Sequence, residues 1–215
     1  LKGGLRFADH ISTVSPTYCR EIQTPPFGVG LDGLLRARRQ RLHGILNGLD
    51  GRLWNPANDP ALPSPYTATN LTGKAACKAA LQMELGLHGD AQVPLAAMVT
   101  RLDPQKGIDL LLEAWPLLLE RNLQIVILGT GHPDYEQRLR ELAALAPGQV
   151  VVTTTFDDAL ARRIYAASDL FLMPSRYEPC GLGQLIALRY GSVPLVHATG
   201  GLADTIRDPK EDSAR

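Results

Sequence analysis

Between residues 94 and 196 the chain alternates short apolar runs with longer amphipathic ones, and no other feature restricts the fold as much. The short runs fall at residues 95–99, 125–128, 150–153, 170–173 and 193–196. Runs of that length, apolar throughout and bounded by turn residues, suit strands buried on both faces. In the first interval Ile108, Leu111, Leu112, Trp115 and Leu119 recur at helical spacing, with Glu113 and Glu120 on the other side. Further helices are expected near residues 135–145, 158–167 and 182–190. Strands spaced by helices imply a parallel sheet with right-handed crossovers, so the fold class is α/β, doubly wound.

In such a sheet ligands bind outside the carboxyl ends of the strands, and the turns there carry the unusual residues. After the strand at 170–173, Pro174 stops the run and a polar turn brings Ser175, Arg176 and Glu178. Gly181 then reads as the opening of a helix with apolar positions Leu182, Leu185 and Ile186, which places Glu178, Cys180 and Gly181 beside a helix N-terminus that favours an anion. The turn Thr100-Arg-Leu-Asp-Pro-Gln-Lys-Gly107 sets Arg101 and Lys106 five residues apart between shape-holding residues. An Arg fork and a Lys point charge can converge on one diphosphate; the plain alternative is a surface turn with two solvated cations. Phe156 follows the strand at 150–153, and a core position is its competing reading. In the stretch 198–204, Gly200 and Gly201 let backbone N–H groups approach a phosphate, and Thr199 adds a hydroxyl.

Several other signals are set aside. Gly129-Thr-Gly131 resembles the start of a dinucleotide fingerprint, but Asp134 occupies the third glycine position, so the glycines are taken as sites of close backbone approach. Gly73-Lys74 is not a P-loop, because Ala68 and Ala75 stand where Gly and Ser or Thr are needed. Residues 34–43 carry four arginines, read as a solvated helix face. Lys plus Arg and Asp plus Glu both number 22, so no net charge steers the chain toward nucleic acid or a membrane. Three separated cysteines and five scattered histidines argue against a disulfide framework and a metal site. No apolar run reaches membrane-spanning length.

Five segments stand out in order along the chain: Thr13-Val-Ser-Pro16, Gly44-Ile-Leu-Asn-Gly-Leu-Asp50, Arg101-Leu-Asp-Pro-Gln-Lys-Gly107, Glu178-Pro-Cys-Gly-Leu182 and Thr199-Gly-Gly-Leu-Ala-Asp-Thr205. Together they resemble those of bacterial glycogen synthases and plant starch synthases. The resemblance covers nearly the whole chain and implies a two-domain GT-B glycosyltransferase with a Rossmann-like C-terminal domain. By that resemblance residues 1–48 are a remnant of the N-terminal, acceptor-side domain, 49–68 a Pro/Asn/Ser-rich linker, and 69–215 a truncated nucleotide-sugar-binding domain. Lys2-Gly-Gly-Leu5 mimics a donor-phosphate loop of the family but stands in the wrong place, so Lys2 is given no role.

The resemblance further implies transfer of glucose from ADP-glucose to the non-reducing end of an α-1,4-glucan, with retention and without a metal or other cofactor. Arg101 and Lys106 would stabilise charge on the departing ADP, and Phe156 would stack on adenine. Glu178 would hold glucose hydroxyls, Cys180 and Gly181 would shape the sugar site, and Thr199, Gly200 and Gly201 would contact phosphate. The expected location is the cytoplasm of a bacterium, or the plastid for a plant protein. Gly183 and His197 depart from residues common in the family, which leaves fine donor preference open. Another GT-B transferase remains an alternative; Leu185 stands where sucrose- or mannosyl-transferring relatives more often carry a second Glu. A non-catalytic nucleotide-sugar or glucan-binding module is the other.

Overall fold

A computed structural model describes residues 1–209 of the chain. Its first elements are short: α1 (Lys2–Phe7), β1 (Ile11–Thr13), α2 (Pro16–Glu21), α3 (Pro25–Gly28), α4 (Asp32–Ala37) and β2 (Leu42–Gly44). Then come α5 (Thr72–Leu85), β3 (Leu95–Val99), α6 (Ile108–Leu119), β4 (Gln124–Leu128), α7 (Pro133–Ala144) and β5 (Val150–Thr153). The chain continues through α8 (Asp158–Ala167), β6 (Leu170–Met173), α9 (Gly183–Arg189), β7 (Val193–Val196) and α10 (Gly200–Thr205). Among the described residues no helix is long and apolar enough to cross a membrane.

By its contacts the chain forms two units, and the division is not a single cut. One unit comprises Leu1–Gly48, Ser175–Leu182 and the chain from His197 onward; the other comprises Leu49–Pro174 and Gly183–Val196. Residues 175–182 and those from His197 onward, expected with the C-terminal domain, group with residues 1–48.

The second unit holds a parallel sheet in the order β5-β4-β3-β6-β7. Its side chains alternate between two layers, as the strand period requires. Ile125, Ile127, Ala96 and Met98 pack with Ile108, Leu111, Leu112, Trp115 and Leu139, from α6 and α7. Val126, Leu128, Leu95 and Ala97 pack on the other face with Cys77, Leu81, Ile164, Tyr165 and Ile186, from α5, α8 and α9. Both faces are covered, so the sheet is doubly wound. Strand order reverses beside β3, where β4 continues on one side and β6 on the other. The loop leaving β3 and the end of β6 at Pro174 consequently lie at the switch point of the sheet.

Residues 49–68, expected to be a linker, are packed within the second unit. The Asp59 side chain is fully buried; it accepts hydrogen bonds from Tyr190 Oη at 2.5 Å and Arg162 at 3.1 Å. Burial, followed by the bond to Asp59, pushes the Tyr190 hydroxyl far above its ordinary range. The Arg162 guanidinium lies 4.3 Å from the Trp54 ring centre, and Arg189 donates to the Trp54 carbonyl at 3.2 Å. Lys74, set aside as a P-loop lysine, ties loops together instead, its ammonium donating to the carbonyls of Ala166, Ser168 and Tyr190 at 2.8 to 3.1 Å. Gly73 is required by packing, since a Cβ there would stand 2.1 Å from the Pro65 carbonyl oxygen.

In the first unit the Pro- and Gly-rich residues 24–33 contain the short α3, for which Pro25 and Pro26 preset the first turn. The arginine-rich run is not one helix. Its helical part, α4, stops at Ala37, a 3-10 turn covers Arg39–Arg41, and β2 begins at Leu42. Arg38 donates to the Ala8 carbonyl and Arg41 to that of Asp9 at 2.9 Å, so these cations fasten the segment before β1. Pairing of β1 with β2 supplies the long-range bonds that override local helical preference.

Candidate active site

Two turns at the carboxyl edge of the second unit's sheet carry Arg101, Lys106 and Phe156. After β3 the chain makes a 3-10 turn, Pro104–Lys106, whose N-cap Asp103 accepts from the Lys106 amide. Gly107 ends it in the left-handed region at φ 70°, lying so close to the Pro174 carbonyl oxygen that a Cβ would sit 2.2 Å away. The turn is thereby seated on the end of β6. Asp103 also pairs with Arg101 at 3.3 Å, and Gln105 accepts from the same guanidinium at 3.3 Å. The Arg101 side chain is 70% exposed, so these bonds orient it without burying it. Asp103 is an orienting residue that the motif contained and the sequence reading passed over.

Gly129 and Gly131 behave as expected. Cβ atoms there would stand 1.9 Å from the Thr100 carbonyl oxygen and 2.2 Å from that of Leu102. The close approach lets the backbone extend the β3–β4 pairing. The Leu102 N–H donates to the Thr130 carbonyl at 2.9 Å, and the Leu102 carbonyl accepts from the His132 N–H at 2.7 Å. Phe156 is 92% exposed, which excludes the core reading. It lines a cleft of about 300 Å³ together with Trp54, Arg101, Gly129, Thr155 and Tyr165. An exposed aromatic face, a cation and a side-chain-free position bordering one cleft suit a planar heterocycle carrying negative charge. Trp54 follows the family-like segment that begins at Gly44 but was given no site role; its contacts with α8 and with Tyr190 just beyond α9 bring it to the cleft.

The remaining candidates lie in the first unit, packed around α10. Glu178 is buried, and its Oε2 accepts from Ser175 Oγ at 3.1 Å. The His197 ring shares a hydrogen bond with the Ser175 carbonyl at 2.9 Å, which requires the proton on Nδ1. Gly200 and Gly201 meet the 178–180 loop backbone to backbone: Gly201 N–H donates to the Glu178 carbonyl at 2.9 Å. Cβ atoms at these two positions would stand 2.0 Å from the carbonyl oxygens of Glu178 and Cys180.

Two expectations are overturned in this unit. Gly181 does not open a helix: it is a left-handed turn residue at φ 68°, and α9 starts at Gly183, so Cys180 and Gly181 lie in the turn rather than at a helix N-terminus. The amides of Gly200 and Gly201 and the Thr199 hydroxyl are not turned out toward a ligand. Thr199 Oγ1 and Gly200 N–H donate to Glu21 Oε1 at 3.0 and 2.9 Å, and Gly201 N–H is taken by Glu178. The glycines serve close approach, but of the neighbouring loop. Asp204, part of a motif yet given no role from sequence, accepts from Ser15 Oγ at 2.5 Å and from the Thr17 amide and hydroxyl at 2.9 and 2.6 Å. Burial alone would raise the Asp204 carboxyl; the bonds from Ser15 and Thr17 outweigh it and hold the group below its ordinary range.

With this geometry in hand, similarity to known proteins becomes decisive. Residues 93–213 match the family described as glycosyl transferases group 1. The chain belongs to the group 1 glycosyl transferases. Residues 1–37 of this glycosyl transferase also match the family described as the starch synthase catalytic domain. Over all 215 residues it is 60% identical to a glycogen synthase of Syntrophotalea carbinolica, and over 208 residues 58% identical to one of Anaeromyxobacter dehalogenans. In both cases it spans 44% of the relative's length. The catalytic domain of starch synthase IV from Arabidopsis thaliana, solved bound to ADP and acarbose, superposes on 99% of the chain with a TM-score of 0.93 at 42% identity. The chain covers 44% of that protein. Sucrose-phosphate synthase from Thermosynechococcus elongatus shares the fold at 22% identity and a TM-score of 0.63, with 96% of this chain and 45% of that one covered. The glycosyl transferase is thus a GT-B protein and a homologue of bacterial glycogen synthases.

Proposed function

We propose that this glycosyl transferase takes part in elongating an α-1,4-glucan, moving glucose from ADP-glucose to the non-reducing end with retention of configuration. The observation that carries the reading is the 60% identity to a glycogen synthase across the whole chain. The exposed Phe156 and Arg101 on one cleft are consistent with it, as is the buried Glu178 in a glycine-seated loop.

In this reading adenine stacks on Phe156, and Arg101 and Lys106 neutralise the diphosphate. As the bond from glucose C1 to the diphosphate breaks, negative charge grows on ADP, and the two cations stabilise that state more than bound donor. The carboxylate of Glu178 holds glucose hydroxyls and offsets positive charge at the sugar, while Cys180 and Gly181 shape its surroundings. The glucan's 4-hydroxyl attacks on the face the ADP leaves and gives its proton to the departing diphosphate oxygen, and neutralisation by Arg101 and Lys106 dispenses with a metal. Such a protein works in the cytoplasm, where its donor and acceptor are dissolved.

Calorimetric titration with ADP-glucose and UDP-glucose, with Lys106→Ala as control, tests this. Saturable ADP-glucose binding weakened by the substitution supports the reading. Equal preference for UDP-glucose moves the chain to another GT-B transferase; if a folded chain binds neither, the same titration on a chain of the relatives' full length, of which this one spans 44%, decides, and failure there leaves only a binding module.

A further inference from the structure

A line of contacts in the first unit runs from Glu178 back to α2 and ends in Glu21, a group the mechanism does not otherwise use. Glu21, the last residue of α2, lies 178 positions before Thr199, yet its Oε1 takes both the Thr199 hydroxyl and the Gly200 amide. The residues it holds are those on which the 178–180 loop rests. Gly201 N–H bonds the Glu178 carbonyl at 2.9 Å, and the Gly200 and Gly201 α-carbons press on the carbonyls of Glu178 and Cys180. Asp204 fastens the other end of the same short helix to Ser15 and Thr17 at the start of α2. Two carboxylates thus lock α10 onto α2, and the loop is stacked on α10 without any side chain between.

Glu21 also has a cost. Its Oε2 is buried and, among the described residues, has no hydrogen-bond partner. A half-satisfied carboxylate is a poor way to gain stability, since a buried acceptor without a donor loses its hydration. Its use lies in what its other oxygen fixes.

We infer that Glu21 is a positioning residue for the sugar site: through Thr199 and Gly200 it sets the placement of the loop that carries Glu178 and Cys180. The inference rests on the donor-site reading above for the identity of the sugar. Its mechanical part stands on the contacts alone. Glu21 touches no substrate; it acts by removing freedom from the turn beneath the loop, which matters because small misplacements of reacting groups are costly.

The test compares the wild-type chain with Glu21→Ala and Glu21→Gln. Amide exchange followed by mass spectrometry reads the loop directly, and binding of ADP-glucose against ADP reads its consequence. Glu21→Ala should speed exchange in 199–201 and also in 176–182 by about 10- to 100-fold, the loss expected of charge-assisted bonds. Glu21→Gln keeps a carbonyl acceptor and should restore most of the protection. ADP-glucose affinity should fall in the alanine variant while ADP affinity holds, because only the sugar depends on the loop. Fast exchange confined to 199–201, with 176–182 unchanged, overturns the inference; so does an equal loss of ADP and ADP-glucose affinity. If the wild-type chain binds neither ligand, the exchange result still decides whether Glu21 holds the loop.

Discussion

The Arg101–Lys106 turn and the Glu178–Cys180 loop both follow strands of one sheet, yet they are built by opposite means. The first keeps its chemistry outside: Arg101 stands largely in solvent, oriented by Asp103 and Gln105, and Phe156 is almost fully exposed nearby. The second keeps its chemistry inside: Glu178 and Cys180 are buried and set against two glycines that leave no space for a Cβ. On the proposed reading the difference has a use: a cation that neutralises a leaving diphosphate would stay accessible on a fixed turn, oriented by its neighbours. A carboxylate that holds a sugar in one geometry would need its backbone immobilised. Substitutions in the two regions should therefore fail differently, the first losing ligand without losing fold and the second losing fold first.

The largest effect is expected at Lys106. Lys106→Ala should lower kcat of glucosyl transfer by about 10²–10³-fold, roughly 2.7–4 kcal/mol of transition-state stabilisation. Its urea midpoint should stay within error of wild type; a large stability loss would erase the contrast between the regions. Gly201→Ala should behave in the opposite way. The new methyl meets the Cys180 carbonyl, part of the backbone, so the chain should be destabilised by about 3 kcal/mol, read from chemical unfolding. Phe156→Ala sharpens the first half of the comparison. Removing an exposed ring should leave stability unchanged within about 0.5 kcal/mol. ADP affinity measured by calorimetry should weaken by about 1–3 kcal/mol, the scale of aromatic–base stacking.

The smallest effect concerns acid. Asp204 has a folded pKa below its ordinary value, so the unfolded chain binds its proton first as pH falls. Its contribution to stability is complete above the ordinary carboxylate range and is lost as pH drops through the lower folded value. Asp204→Asn should accordingly narrow its stability gap to wild type as unfolding is followed from near neutral pH into that acid window. A gap that stays constant would show that the carboxylate adds nothing beyond the shape an amide shares.

What the amino-acid pattern determined was everything carried by period and by local chemistry. Short apolar runs became β3 to β7 with boundaries almost unchanged; β3 and β4 at the centre are buried on both faces as expected, whereas the edge strand β7 leaves Val193 and Leu195 exposed. The face formed by Ile108, Leu111, Leu112 and Trp115 likewise became the buried face of α6. Arg101, Lys106 and Glu178 could be picked out because charged residues on strand-to-helix turns are conspicuous against such runs. Only the tertiary structure decided which donors were already occupied and which residues held them. Gly200 and Gly201 look identical in sequence whether they face a phosphate or a neighbouring carbonyl, and the Glu178 loop made that choice. Glu21 and Asp59 carry no periodic or motif signal of their own, and Trp54 carried no sign of its place at the cleft; the partners that decide their roles lie more than one hundred residues away in sequence. Such pairings follow from the closure of the whole chain, not from any stretch of it, because a hydrogen bond is specified by where two groups meet rather than by what surrounds either one.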